Sequence, residues 1–196
     1  MSEKRWPELI KWLLGAFLLP LRACLWLFAA LIPARRGLFV VIGRDQGAFL
    51  DNCKYMYLFL VGKPEIQAVF ITERRQVYDV LIDQGLPVVK YPGWKGIWTL
   101  LRAQVAIVDN IDWVSHFKYH LLWKSFKVQL WHGVGFKRIE LDNPAELQKM
   151  QSPITRFAAW SLGRFPHYNL LISTSPFYTQ HVFSQAFRYE TILESG

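Results

Sequence analysis

The stretch QAVFITERRQVYDVLIDQGLPVVK, Gln67 to Lys90, holds a complete supersecondary unit. Gln67 to Thr72 is a β-branched and aromatic run of strand length, Arg74 to Gln84 has the length and make-up of a helix, and Pro87 to Lys90 is a second strand run. Two strands joined through a helix pair in parallel, because the helix carries the chain back along a face of the sheet. The same texture extends outward on both sides. Leu38 to Ile42, Val105 to Val108, Lys127 to Trp131, Asn169 to Thr174 and Thr191 to Leu193 are further strand candidates, and Asn52 to Val61 and Trp94 to Gln104 are further helices. The alternation predicts an α/β, Rossmann-like domain, a parallel sheet flanked by helices on both faces. Ligands of such sheets sit beyond the carboxyl ends of the strands, so any polar residue directly after a strand becomes a site candidate.

Composition agrees with one folded domain. The chain has 196 residues, of which 52% are hydrophobic and 19% charged, enough apolar side chains to offset the entropy of ordering a backbone. Cys24 and Cys53 allow at most one bridge, which excludes a disulfide framework and a four-thiolate zinc site and suits an intracellular chain with reduced thiols. A formal charge of +8 implies attraction to something anionic, such as lipid headgroups, nucleic acid or phosphorylated substrates. The cations show no register and no nucleic-acid motif, and nucleic acid is not expected as a partner.

Ahead of the sheet, WLLGAFLLPLRACLWLFAALIP, Trp12 to Pro33, is apolar on every side apart from Arg22 and a break at Pro20. An all-round apolar helix belongs in a membrane or deep in a core. A central Arg costs about 2.5–3.5 kcal/mol on insertion scales, and Pro20 divides the run into halves too short to cross. The preferred reading is a helix or bent helical pair lying in one leaflet of an anionic membrane surface. Lys4, Arg5, Lys11, Arg35 and Arg36 flank it, and Trp6, Trp12 and Trp26 serve as interfacial anchors. A single spanning helix is the alternative, while Arg22 and the length of the run argue against a cleaved signal peptide. The basic PARRG, Pro33 to Gly37, marks the boundary between this membrane-associating segment, residues 1–36, and the domain, residues 37–196.

The densest chemical signal is VQLWHGVGFKRI, Val128 to Ile139, where a strand runs into His132, two glycines, Lys137 and Arg138. An imidazole accepts a proton near neutral pH, Gly133 lets the backbone approach a ligand, and the cations offset phosphate charge. A structural histidine in a turn, followed by a solvated basic pair, is the competing explanation. GRDQGAFLDNCKYMY, Gly43 to Tyr57, offers Asn52 and Lys54 toward the same crevice, although capping is the default duty of Asp51 and Asn52. In ISTSPFYTQHVFSQAF, Ile172 to Phe187, Ser173 and Ser175 either cap the helix that Pro176 begins or hold phosphate there, with capping preferred. His116 and His120 share a helix face at metal-pair spacing, but no third ligand is near, and neither metal nor cofactor is expected. No Walker loop, dinucleotide fingerprint or nucleophile elbow is present in the sequence.

Three segments in this order, FLDNCKYMYLFL (Phe49 to Leu60), VQLWHGVGFKRI (Val128 to Ile139) and LISTSPFYTQHVFSQAF (Leu171 to Phe187), resemble the CDP-glycerol glycerophosphotransferase family of teichoic-acid primases and polymerases and related capsule polymerases. The resemblance runs from about Leu38 to the end and implies a GT-B architecture held on the cytoplasmic face of the membrane. It also implies a CDP-glycerol or CDP-ribitol donor, a lipid-linked acceptor and His132 as the base. The chain then corresponds to the amino-terminal, acceptor-side half, with the carboxyl-terminal domain missing and turnover by this chain alone not expected. A GT-B glycosyltransferase using a nucleotide sugar and a non-catalytic membrane-associated scaffold are the alternatives.

Overall fold

The computed structural model describes residues 5–113, 118–133, 138–161 and 166–195. Its centre is a seven-stranded, all-parallel sheet in the order β3-β2-β1-β4-β5-β6-β7. The strands are β1 (Arg35–Ile42), β2 (Gln67–Thr72), β3 (Val88–Lys90), β4 (Ala103–Val108), β5 (Phe126–Gln129), β6 (His167–Ser173) and β7 (Arg188–Glu194). The helices are α1 (Arg5–Leu31), α2 (Asp51–Val61), α3 (Arg75–Asp83), α4 (Trp94–Arg102), the single turn α5 (Lys118–Leu121), α6 (Pro144–Lys149), α7 (Pro153–Ser161) and α8, a helical run with a π turn over residues 176–186.

Alternation along the strands divides the core in two. Val40 and Ile42 of β1, Val69 and Ile71 of β2 and Ala106 and Val108 of β4 face α4, Leu122 and α8. Val41, Phe70 and Ile107 face Cys53, Tyr57 and Leu60 of α2 and Leu81 of α3. A period of two along each strand sends neighbouring side chains to opposite faces, and helices cover both, so the strands are apolar throughout. Strand order reverses between β1 and β4, and this switch point opens a crevice beyond Ile42 and Val108.

One expectation changes. Lys127 to Trp131 reads as strand, yet β5 ends at Gln129 because the Trp131 backbone turns left-handed at φ 57°. The apolar amino-terminal run is a single helix through Pro20, one of the two forms expected for it. Half-buried Leu18, Arg22 and Leu25 and buried Ala29 lie on one side of α1, the helix packs along α7, and the Arg22 Nε–H donates to His120 Nε2 at 3.0 Å. Among the described residues no helix is long and apolar enough to cross a membrane. β1 begins at Arg35, within the PARRG stretch.

Candidate functional site

The crevice is made of loops that follow β1, β4 and β5. After β1 the chain folds tightly, with the Gly47 amide donating to Gly43 O at 3.0 Å and the Ala48 amide to Arg44 O at 2.8 Å. A Cβ at Gly47 would come within 2.6 Å of the Thr72 backbone, and Gly47 sits at φ +83°, so only glycine fits. Asp45, Gln46 and Asp51 also carry positive φ, of 52°, 65° and 50°. Arg44 and Asp51 close this loop with an ion pair at 2.8 Å.

Trp131 is a bulky residue held in a left-handed conformation, which costs about 1–3 kcal/mol and persists only when its surroundings over-determine it. They do. Its N–H donates to Oε1 of fully buried Gln129 at 3.0 Å, and Gln129 Nε2 donates in turn to the Tyr168 hydroxyl at 3.1 Å. The Trp131 carbonyl accepts from Asn52 Nδ2 at 2.8 Å, and the indole packs between Phe187 and the His132 ring, which it overlaps at 4.5 Å.

His132 is therefore delivered to the crevice by a fixed turn. Its Nδ1 lies 2.5 Å from the backbone carbonyl of Asp109, the residue that follows β4. A carbonyl can only accept, so Nδ1 carries the proton and Nε2 of the neutral ring is the lone-pair nitrogen. The Asp109 side chain is fully buried, and neither carboxyl oxygen has a hydrogen-bond partner of good geometry among the described residues. Burial raises its pKa above the ordinary carboxylate value, an effect that His132, the Arg44 amide and the Arg44 charge oppose. Burial, together with the Asp109 carboxylate, raises the Cys53 thiol well above its usual value, so this cysteine is a packed, protonated group. A buried carboxylate near an imidazole stabilises the imidazolium that forms when the ring takes a proton.

The structure brings Asn52 and His132 to one junction through Trp131. Lys54 turns elsewhere: two helical residues are about 200° apart around the axis, and its ammonium lies over the rings of Phe49 and Tyr55 at 5.8 and 5.7 Å. Gly133 is exposed at φ +78°, and among the described residues nothing lies within 4 Å of where a Cβ would stand. Lys137 lies outside the described residues, as does His116 of the histidine pair. Arg138 forks onto Asp142 through Nε and Nη2 at 2.9 and 2.8 Å. Ser175 caps α8, its Oγ accepting from the Tyr178 amide at 3.4 Å, and the hydroxyl of buried Ser173 donates to the Ser175 carbonyl at 3.1 Å. Asp109, Gln129 and Arg44 were not singled out from the sequence. The rule that a polar residue directly after a strand is suspect applies to Asp109 in VAIVDN and could have found it.

A doubly wound α/β domain with a histidine held at its switch-point crevice defines the class. The family model described as CDP-Glycerol:Poly(glycerophosphate) glycerophosphotransferase matches residues 26–196, and the chain belongs to that family. Among solved structures, the wall teichoic acid polymerase TagF superposes at TM-score 0.58 with 16% identity, covering 97% of this chain and 47% of that one. Two TagF variants, one with a histidine replaced by alanine and one with a histidine replaced by asparagine and soaked with CDPG, give TM-scores of 0.60 and 0.58 at 17% and 16% identity. Each covers 98% of this chain and 48% of the variant, so the chain spans about half the length of these relatives. No curated protein sequence matches it significantly.

Proposed function

We propose that these residues form the acceptor-side half of a GT-B-type CDP-glycerol glycerophosphotransferase that works on a lipid-linked acceptor during teichoic-acid or capsule synthesis. The observation that carries this reading is the hydrogen bond between His132 Nδ1 and the Asp109 carbonyl at the switch point, in a chain of this family. His132 Nε2 removes the proton from an acceptor hydroxyl as its oxygen attacks the β-phosphorus of the CDP-alditol. The new P–O bond forms while the bond to the bridging oxygen breaks, and CMP leaves with that electron pair. Asp109 stabilises the resulting imidazolium, and Asn52 holds the turn that aims the ring.

The same reading places α1 on the cytoplasmic membrane surface as a peripheral attachment. Its outward side is apolar, with Ile10, Leu14, Phe17, Leu21, Phe28 and Leu31 exposed along one stripe, and Arg35 and Arg36 follow it. Supplying the complete protein, in membranes, with CDP-glycerol, CDP-ribitol and UDP-sugars tests the assignment. CMP release from a CDP-alditol is expected. UDP release from a sugar donor, with no CMP from either alditol, would replace this function with a glycosyltransferase.

A further inference from the structure

At the opposite ends of the strands lies an open cavity of about 790 Å³, lined by residues of α1, α5, α6, α7 and the starts of β6 and β7. His167 and Arg188, the first residues of β6 and β7, stand on its rim. Six strand steps separate His167 from Ser173, about 20 Å, so the cavity is distinct from the His132 crevice. Among the described residues Arg22, Arg156 and Arg188 line it, against one lining carboxylate, Glu146. Its apolar wall is supplied by Trp123, Leu147 and Met150.

Two features connect this cavity to α1. Arg22 reaches it from the packed side of that helix. Trp123 in its wall meets partly exposed Trp26 of α1 edge to face, with ring centres 5.8 Å apart. Arginines over an apolar wall, beside a helix with an exposed apolar stripe, match an amphiphile with an anionic head. Arginine is suited to the task because its planar fork pairs with two phosphate oxygens at once.

We propose that this cavity binds a phosphate ester, presented by the headgroup of an anionic lipid or by a soluble phosphate, and that Arg156 and Arg188 are its principal ligands. The lipid source rests on the peripheral attachment of α1, whereas the soluble source does not. Both arginines are exposed, so Arg156→Ala with Arg188→Ala leaves the core intact, and a melting curve verifies folding.

Three probes separate the sources: vesicles of phosphatidylcholine, the same vesicles with phosphatidylglycerol added, and glycerol 3-phosphate in solution. Wild type should bind the anionic vesicles roughly tenfold or more tightly than the neutral ones. The double variant should lose most of that increment while its binding to neutral vesicles is unchanged. Arg35→Ala with Arg36→Ala is the control for general surface charge and should leave glycerol 3-phosphate binding alone. Arginine-dependent binding of glycerol 3-phosphate without a vesicle increment assigns the site to a soluble phosphate. Wild type that binds no vesicle refutes membrane attachment, and the glycerol 3-phosphate measurement then decides the cavity by itself. A double variant with an undiminished anionic increment, together with no binding of glycerol 3-phosphate by wild type, overturns the proposal.

Discussion

At the carboxyl ends of β1, β4 and β5 the backbone is strained and closely tethered, with four non-glycine residues at positive φ in the loops around one histidine. The face of α1 is the reverse: a regular helix whose outward residues include Phe17 at 79% exposure and Leu31 at 83%. Strain is sustained in the first region because Gln129, Asn52 and the Asp109 carbonyl each restrain the turn. The second carries no such restraint on its outward side, and its apolar surface is stabilised only when something removes it from water. One region fixes a side chain against the preference of its own backbone, while the other leaves a surface to be covered.

The largest expected effect is on that surface. Phe17→Ser with Leu21→Ser should weaken binding to vesicles by about 3 kcal/mol or more, since burying a large apolar side chain contributes about 1.5–3 kcal/mol. Co-sedimentation measures it, and unchanged partitioning would remove α1 from the membrane account. Melting temperature should hardly change, because neither residue is in the core.

Gln129→Leu attacks the strained region instead. It strands the Trp131 amide and the Tyr168 hydroxyl in a buried site, at a cost of about 1–3 kcal/mol for each unsatisfied group. Denaturant unfolding should register a loss of about 2–6 kcal/mol, and a near-neutral result would mean that the turn is held by other contacts. Asn52→Ala removes a half-exposed tether, so stability should fall by about 1 kcal/mol. Its rate in the complete enzyme should drop roughly tenfold to 100-fold as the ring loses its aim. An unchanged rate would show that the Asp109 carbonyl and the Trp131 stack suffice.

The smallest effect concerns Asp109. Its raised pKa means that the folded chain keeps this proton to higher pH than the unfolded chain does. Its contribution is therefore fully present below the ordinary carboxylate value and lost as pH rises through the raised one. Asp109→Asn should melt above wild type at neutral pH, with the two curves converging in acid. A variant that melts lower at neutral pH would show that the carboxylate stabilises the fold.

Legibility in the sequence followed the range of the interactions. β2 and the helices flanking it were readable because local alternation and turn residues decide them, and β2 occupies the expected Gln67–Thr72. The end of β5 was not readable, since VQLW has strand composition up to Trp131 and only the Gln129 side chain shows why the ladder stops. Asn52 met Trp131 across 79 residues of chain and Arg22 met His120 across 98, and neither pairing leaves a periodic trace. His132 was legible as a residue opening on the ligand side of a parallel strand. Its tautomer was not, because that depends on a carbonyl 23 residues away.

The central claim is that His132 is the base that takes the acceptor proton. The most direct test compares steady-state CMP release and thermal melts of the complete enzyme with its His132→Ala variant. A loss of roughly 100-fold to 10,000-fold in turnover with an unchanged melting temperature is predicted, the usual worth of a positioned general base. A variant that melts early yet keeps near-normal activity per folded molecule would contradict it and return His132 to a structural role.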